Sequence, residues 1–147
     1  MEPTDAGFAA VNAMRINATK YLAKFNGNPA ATLALIRNAV NRDGLDLPNE
    51  YMKFIEEING GEGFVGSNYI ILWRIEELAK MNIDYQVQEY APGLFLFGSD
   101  GGGEAFAFDM RSPSKPIVSV PFVGLDTSLA RPYALNFIEF LEKLSRS

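Results

Sequence analysis

The spacing of the apolar residues changes near residue 60, and this change limits the folds that the chain can adopt. Before it, four apolar residues recur at the spacing of one buried helix face: Tyr51, Phe54, Ile55 and Ile58. After it, the run NYIILW at 68–73 is β-branched and aromatic without a helical period, which predicts a strand. The chain therefore combines a helical first part with a β-rich second part.

Three helices are predicted in the first part from the residues at their ends. Thr4 and Asp5 are good N-cap residues for the first helix, whose apolar positions run from Ala10 to Phe25. Prolines stand in the first turns of the second and third helices, and glycine follows all three. The predicted bounds are Asp5 to Asn26, Pro29 to Gly44, and Pro48 to Asn59. We expect these helices to pack as one layer.

Short strands joined by tight loops are predicted in the second part, at 68–73, 94–97, 104–109 and 117–120. This arrangement favours antiparallel pairing. A short helix is predicted at 76–81, and residues 83–90 fit either a helix or a strand. A C-terminal helix should dock on the sheet, because its apolar residues share one face: Phe137, Phe140, Leu141 and Leu144.

These elements predict an α+β fold: an antiparallel β-sheet flanked by helices, with an N-terminal helical layer and a C-terminal helix packed on the sheet. The length of 147 residues fits a single domain, 1–147, and 48% hydrophobic residues provide a core of ordinary size. No segment reaches the ~20 apolar residues that span a bilayer. Glu2 and Asp5 stand where a signal peptide carries basic residues, so we expect a cytoplasmic protein without a membrane contact.

The chain has neither cysteine nor histidine. This excludes disulfides, thiolate nucleophiles, Ser–His and Cys–His catalysis, and the usual zinc sites. We therefore expect no metal, no cofactor and no enzymatic activity, although an enzyme built from carboxylates stays open as a third hypothesis. The adjacent pairs Glu56-Glu57 and Glu76-Glu77 do not support it, because neighbours on a helix point in different directions.

The net charge of −5 is unevenly distributed. Ten of the 18 acidic residues lie between Glu56 and Asp109, where only Arg74 and Lys80 oppose them. Nucleic acid requires the opposite charge, whereas a focused acidic surface favours a basic protein partner. The simpler alternative is that these acids only keep the surface soluble.

The segment FGSDGGGEAFAFD at 97–109 contains the most conspicuous local motif. A phosphate-binding loop ends in Gly-Lys-Ser/Thr at a helix start, but this loop ends in Glu104 and enters a strand. Asp100, Glu104 and Asp109 could ligate a cation, yet their spacing does not match a calcium loop. A glycine-rich hairpin is the simplest interpretation, and protein binding is the main functional alternative.

The order of motifs along the chain resembles that of the SUKH superfamily, which includes the yeast Smi/Knr-type regulators of cell-wall synthesis. The likeness rests on LPxxYxxF at 47–54, NGGEG at 59–63, the strand at 69–73, and GSDGGGE at 98–104. It covers residues 45–143, and residues 1–44 form an additional helical element. The resemblance implies an α+β fold without enzymatic activity, and it implies that bacterial members act as immunity proteins against toxins.

The leading hypothesis is therefore a non-catalytic protein-binding domain, namely an immunity protein that neutralises a bacterial toxin. The acidic face of this chain would bind a basic domain of that toxin. The alternative is an intracellular regulatory or scaffold module of the Smi/Knr type. Tyr69 and Trp73 lie on one strand face and become interface anchors if that face is open, or core residues if it is covered. The predicted contact residues are Glu62, Tyr69, Trp73, Asp100 and Glu104.

Overall fold

A computed structural model of the chain describes residues 18 and 20–147, which are organised around a seven-stranded sheet. The strands are β1 (Lys24–Gly27), β2 (Gly61–Val65), β3 (Asn68–Leu72), β4 (Leu94–Ser99), β5 (Glu104–Asp109), β6 (Ile117–Pro121) and β7 (Arg131–Ala134). They lie side by side in sequence order, and each is antiparallel to the next. The predicted antiparallel sheet is confirmed.

Helices flank this sheet, as the α+β prediction requires. In the described part of the chain they are α1 (Leu33–Asp43), α2 (Asn49–Ile55), α3 (Leu78–Asp84), α4 (Val87–Tyr90) and α5 (Phe137–Arg146), with single 3₁₀ turns at Ile75–Glu77 and Thr127–Leu129. α1 ends at Gly44, which adopts the left-handed conformation (φ 64°) and donates its N–H to the Val40 carbonyl. No helix within residues 18 and 20–147 combines the length and the apolar character needed to cross a membrane.

The first face of the sheet carries the larger core, beneath α1, α2 and α5. Its centre is an aromatic cluster in which Tyr51 of α2 lies 5.2 Å from Phe108 and 5.3 Å from Phe137, between ring centroids. Phe97 stacks on Phe108 at 4.4 Å. Phe140 of α5 is fully buried here, so the C-terminal helix docks on the sheet as predicted.

The second face is covered only in part. α3 and α4 pack over β4, and a second buried cluster lies beneath them: Val87, Ala91, Leu94, Leu96, Ala105, Ala107, Val118, Val120 and Leu125. A bulge at Phe97 shifts the register of β4 against β5, since Leu96 pairs with Ala107 but Gly98 pairs with Phe106. The central strands are therefore buried on both faces.

Several sequence predictions differ from the structure in detail. The first predicted helix is wrong at its end, because residues 24–27 form β1; its predicted part before residue 18 lies outside the described residues. The third helix ends at Ile55 instead of Asn59, and the ambiguous segment 83–90 is helical at its two ends. β2 and β7 were not predicted, because glycines in β2 and Pro132 in β7 disfavour strands.

Candidate functional site

Among the described residues, β2 and β3 are covered on one face only. Their buried and accessible residues alternate: Val65, Ile70 and Leu72 are buried, whereas Glu62 and Phe64 are exposed. In β5, by contrast, four successive residues are buried. We call the accessible side of β1–β3 the open face, and its residues are Lys24, Asn26, Glu62, Phe64, Tyr69 and Ile71. In the described part of the chain these side chains are exposed or only partly buried, so this is the side of the sheet that can meet a partner.

Tyr69 lies at the centre of the open face. Phe64 stands directly opposite it in the β2–β3 pair, with ring centroids 5.2 Å apart in an edge-on arrangement. The Tyr69 hydroxyl donates a hydrogen bond to Glu62 Oε2, and this bond raises the pKa of Tyr69 above its ordinary value. Tyr69 thus stays protonated at neutral pH and holds the Glu62 carboxylate in place.

A groove of about 570 Å³ runs beside Tyr69. Tyr69, Ile71 and Trp73 form apolar walls, while Glu62 and Glu77 contribute carboxylates. Trp73 is half-buried just after β3, and its ring stacks on Tyr85 with centroids 6.2 Å apart and 14° between planes. Trp73 thus packs on the core and also lines the groove, and its role as an interface anchor stays a prediction.

A buried asparagine positions the turn that follows Trp73. Asn59 is 4% exposed; its Nδ2 donates to Glu76 Oε1 at 2.8 Å, and its Oδ1 accepts the Ile75 N–H at 2.9 Å. Gly60 has φ 72° and lies so close to Trp73 that a Cβ would be 2.8 Å from the Trp73 carbonyl oxygen. The Asn-Gly pair thus fixes the path of the chain along the groove.

The glycine-rich loop 100–103 joins β4 to β5 as a hairpin, which confirms the simplest interpretation of that motif. Asp100 Oδ1 accepts the N–H groups of Gly102 (2.8 Å) and Glu104 (3.2 Å), so this side chain shapes the loop. Gly101 packs against the Tyr69 ring. A cleft of about 200 Å³ lies between the loop and β3, lined by Tyr69 and Glu104. Phe106, Tyr133 and Leu144 also line it, so the cleft belongs mainly to the α5 side of the sheet and meets the open face only at Tyr69.

The five predicted contact residues meet around Tyr69. Glu62, Tyr69 and Trp73 line the groove, whereas Tyr69, Asp100 and Glu104 line the adjacent cleft. Their role in partner binding stays a prediction. Sequence reasoning missed Phe64 and Glu77; the alternation of Glu62 and Phe64 was a signal for the first, but the flanking glycines concealed the strand.

The ten acidic residues between 56 and 109 do not share one surface. Glu76 bonds Asn59, Asp84 pairs with Lys80 at 2.7 Å, and Asp109 pairs with Arg111 at 2.9 Å, outside the groove and the cleft. Four line the groove or the cleft: Glu62, Glu77, Asp100 and Glu104. Among the described residues, Asp and Glu side chains form no group of three or more suited to a metal ion.

The fold and the open face define a small α+β domain with one accessible sheet surface. The model of the SMI1 / KNR4 family (SUKH-1) matches residues 30–143, and the chain belongs to this family. The match includes α1, which lies before the boundary at residue 45 that the motifs suggested. A search of curated proteins found no match to the chain.

Proposed function

We propose that the chain is a non-catalytic, cytoplasmic protein-binding domain, and that it acts as an immunity protein that neutralises a bacterial toxin. The observation that carries this proposal is the open face, where accessible aromatic rings lie beside the Glu62 and Glu77 carboxylates of the groove. Membership of the SMI1 / KNR4 family (SUKH-1) supports a binding role of this kind.

The composition of the open face suits a protein interface. Tyrosine and tryptophan are enriched among the residues that contribute most to binding, because they bury a large area and retain a polar group. Phe64 is 46% exposed, and its edge-on contact with Tyr69 limits the motion of both rings before any partner arrives. Side chains that are already ordered lose less conformational entropy on binding.

The charges around Tyr69 favour a basic partner. Glu62 and Glu77 line the groove and Asp100 and Glu104 line the adjacent cleft, where Arg74 is the opposing side chain among the lining residues. Carboxylates arranged in this way attract a basic surface during diffusion and repel phosphate. A basic toxin domain, such as a nuclease, fits this field, whereas nucleic acid itself does not.

A regulatory or scaffold module of the Smi/Knr type is the alternative function. The open face serves that role equally well, since a regulator also needs an accessible surface for a protein partner. The identity of the partner separates the two functions. A toxin encoded beside the gene for this chain supports immunity, whereas several regulatory proteins support the alternative.

The experiment measures association with the co-purified partner after the removal of two charges. Asp100→Asn retains Oδ1 as the acceptor that shapes the loop, and Glu104→Gln retains the size of the side chain. Asp100→Lys is unsuitable, because it removes that acceptor. At low salt we expect the double variant to associate about tenfold more slowly, and the difference should shrink at high salt.

Glu89→Gln is the matched control, because Glu89 is exposed on α4, away from the groove and the cleft. It should leave the association rate unchanged. If the double variant and the control associate equally fast at low salt, the acidic part of the proposed interface is wrong.

A further inference from the structure

We infer that the groove beside Tyr69 receives an arginine side chain of the protein partner. This inference rests on the proposed function, because it names what the partner places on the open face. It goes further by assigning one kind of side chain to one groove, from the shape and the charges of the residues that line it.

The walls of the groove suit a flat cation. Tyr69 and Trp73 present aromatic rings on the same side of β3, with Ile71 between them. A guanidinium group is planar and weakly hydrated, so it stacks on aromatic rings, while its aliphatic stem packs on residues such as Ile71. The compact, strongly hydrated ammonium group of lysine gains less from such walls.

The carboxylate of Glu62 is held ready for a second donor. Tyr69 donates to Oε2, which leaves Oε1 of the same carboxylate available to a partner. Phe64 packs edge-on against Tyr69 and restricts the donor ring in turn. An arginine that reaches the groove therefore meets a carboxylate whose orientation is already set, which strengthens a charge-assisted hydrogen bond.

The charges that line the groove leave it net negative. Glu62 and Glu77 contribute two carboxylates against the one guanidinium of Arg74, whose Nη2 donates to Asn28 Oδ1 at 3.4 Å. Lys24 lies on the outer strand β1 and does not line the groove.

The test uses Trp73 as a reporter, since it is the one tryptophan of the sequence and lines the groove. The probe is the peptide acetyl-Gly-Arg-Gly-amide, followed by tryptophan fluorescence and by the indole N–H signal in NMR. Matched peptides carry lysine or citrulline in place of arginine; citrulline retains the shape of arginine but has no charge. We expect a saturable change with arginine, a weaker one with lysine, and none with citrulline.

Two variants localise the binding. Glu62→Gln retains an acceptor for the Tyr69 hydroxyl but removes the charge, and we expect it to lower the affinity for the arginine peptide about tenfold. Glu89→Gln, outside the groove, should have no effect. Equal responses to arginine and citrulline, an unchanged affinity in Glu62→Gln, or the absence of any saturable response would each overturn the inference.

A second measurement separates this inference from the proposed function. The double variant Phe64→Ala/Tyr69→Ala removes the accessible rings of the open face and is tested for binding of the co-purified partner. If the double variant does not bind the partner and the wild-type chain does not bind the arginine peptide, the open face is the interface and only the arginine assignment fails. If the peptide binds but the double variant keeps full affinity for the partner, the proposed interface fails.

Discussion

Substitution of Asn59 by alanine should destabilise the domain and displace the turn that borders the groove. The side chain is buried, and it makes one hydrogen bond to the Ile75 N–H and one to the Glu76 carboxylate. Ile75 is fully buried, so its N–H stays without a partner in the variant, which costs about 1–3 kcal/mol. The Glu76 carboxylate is half-buried, so water can replace the lost hydrogen bond, and this loss adds a smaller free-energy cost.

We expect a loss of about 3 kcal/mol in the free energy of unfolding, or about 10 °C in Tm for a chain of this size. Urea denaturation followed by Trp73 fluorescence measures it, and calorimetry gives the Tm. Asn41→Ala is the control, because Asn41 is exposed on α1. A loss in Asn59→Ala that is no larger than in Asn41→Ala would refute the role assigned to this side chain.

Asn59→Asp tests the same network through pH. The variant retains an acceptor for the Ile75 N–H, but it places a second carboxylate oxygen against Glu76 Oε1. In the folded variant the two carboxylates repel each other while both are ionised, and protonation of one of them relieves this repulsion. The destabilisation should therefore be largest at neutral pH and should disappear as the pH falls below about 4, where both states are protonated. A stability difference from wild type that does not change with pH contradicts this.

Three further predictions concern other parts of the fold. Tyr51→Phe removes a buried hydroxyl without a hydrogen-bond partner in the described chain, so unfolding in urea should show unchanged stability or a gain of about 1 kcal/mol; a loss contradicts this. Glu50→Ala removes the acceptor of the Ile138 N–H (2.7 Å) in the first turn of α5 and should cost about 1–2 kcal/mol by the same assay, whereas no loss refutes the role of this bond. The hydrogen bond from Arg111 lowers the pKa of Asp109. Wild type should therefore be more stable than Asp109→Asn above pH ~4, and this advantage should disappear as the pH falls through the lowered pKa. A stability difference that is the same at every pH refutes the role of this ion pair.

The parts of the fold that the sequence predicts are those set by local patterns. β5 has the predicted bounds, because EAFAFD combines aromatic and small residues in a short run between two loops. α5 follows from the spacing of Phe137, Phe140, Leu141 and Leu144, and its N-cap Asn136 accepts the Glu139 N–H at 2.9 Å.

The parts that the sequence does not predict depend on contacts between distant segments. β1 looks like the end of a helix because Tyr21 and Phe25 are four residues apart, yet it becomes a strand by pairing with β2. The register of β2 and β3 brings Glu62 next to Tyr69, and no local pattern reports that register.

Two features of the candidate site were also beyond a local pattern. Asp100 was chosen for its charge, whereas its Oδ1 atom holds the loop that follows β4. The sequence predicts one acidic face between residues 56 and 109, but the folded chain spreads these acids: Asp84 and Asp109 pair with neighbouring cations, whereas Glu62 and Glu77 line the groove.

The most direct test of the open face as the interface is the affinity of the partner for two matched double variants, measured by isothermal titration calorimetry. Phe64→Ala/Tyr69→Ala truncates the open face, and Leu33→Ala/Leu135→Ala truncates two exposed apolar residues elsewhere. We predict a loss of affinity of about 100-fold or more in the first variant and little change in the second. Equal affinities of the two variants for the partner would contradict the central claim.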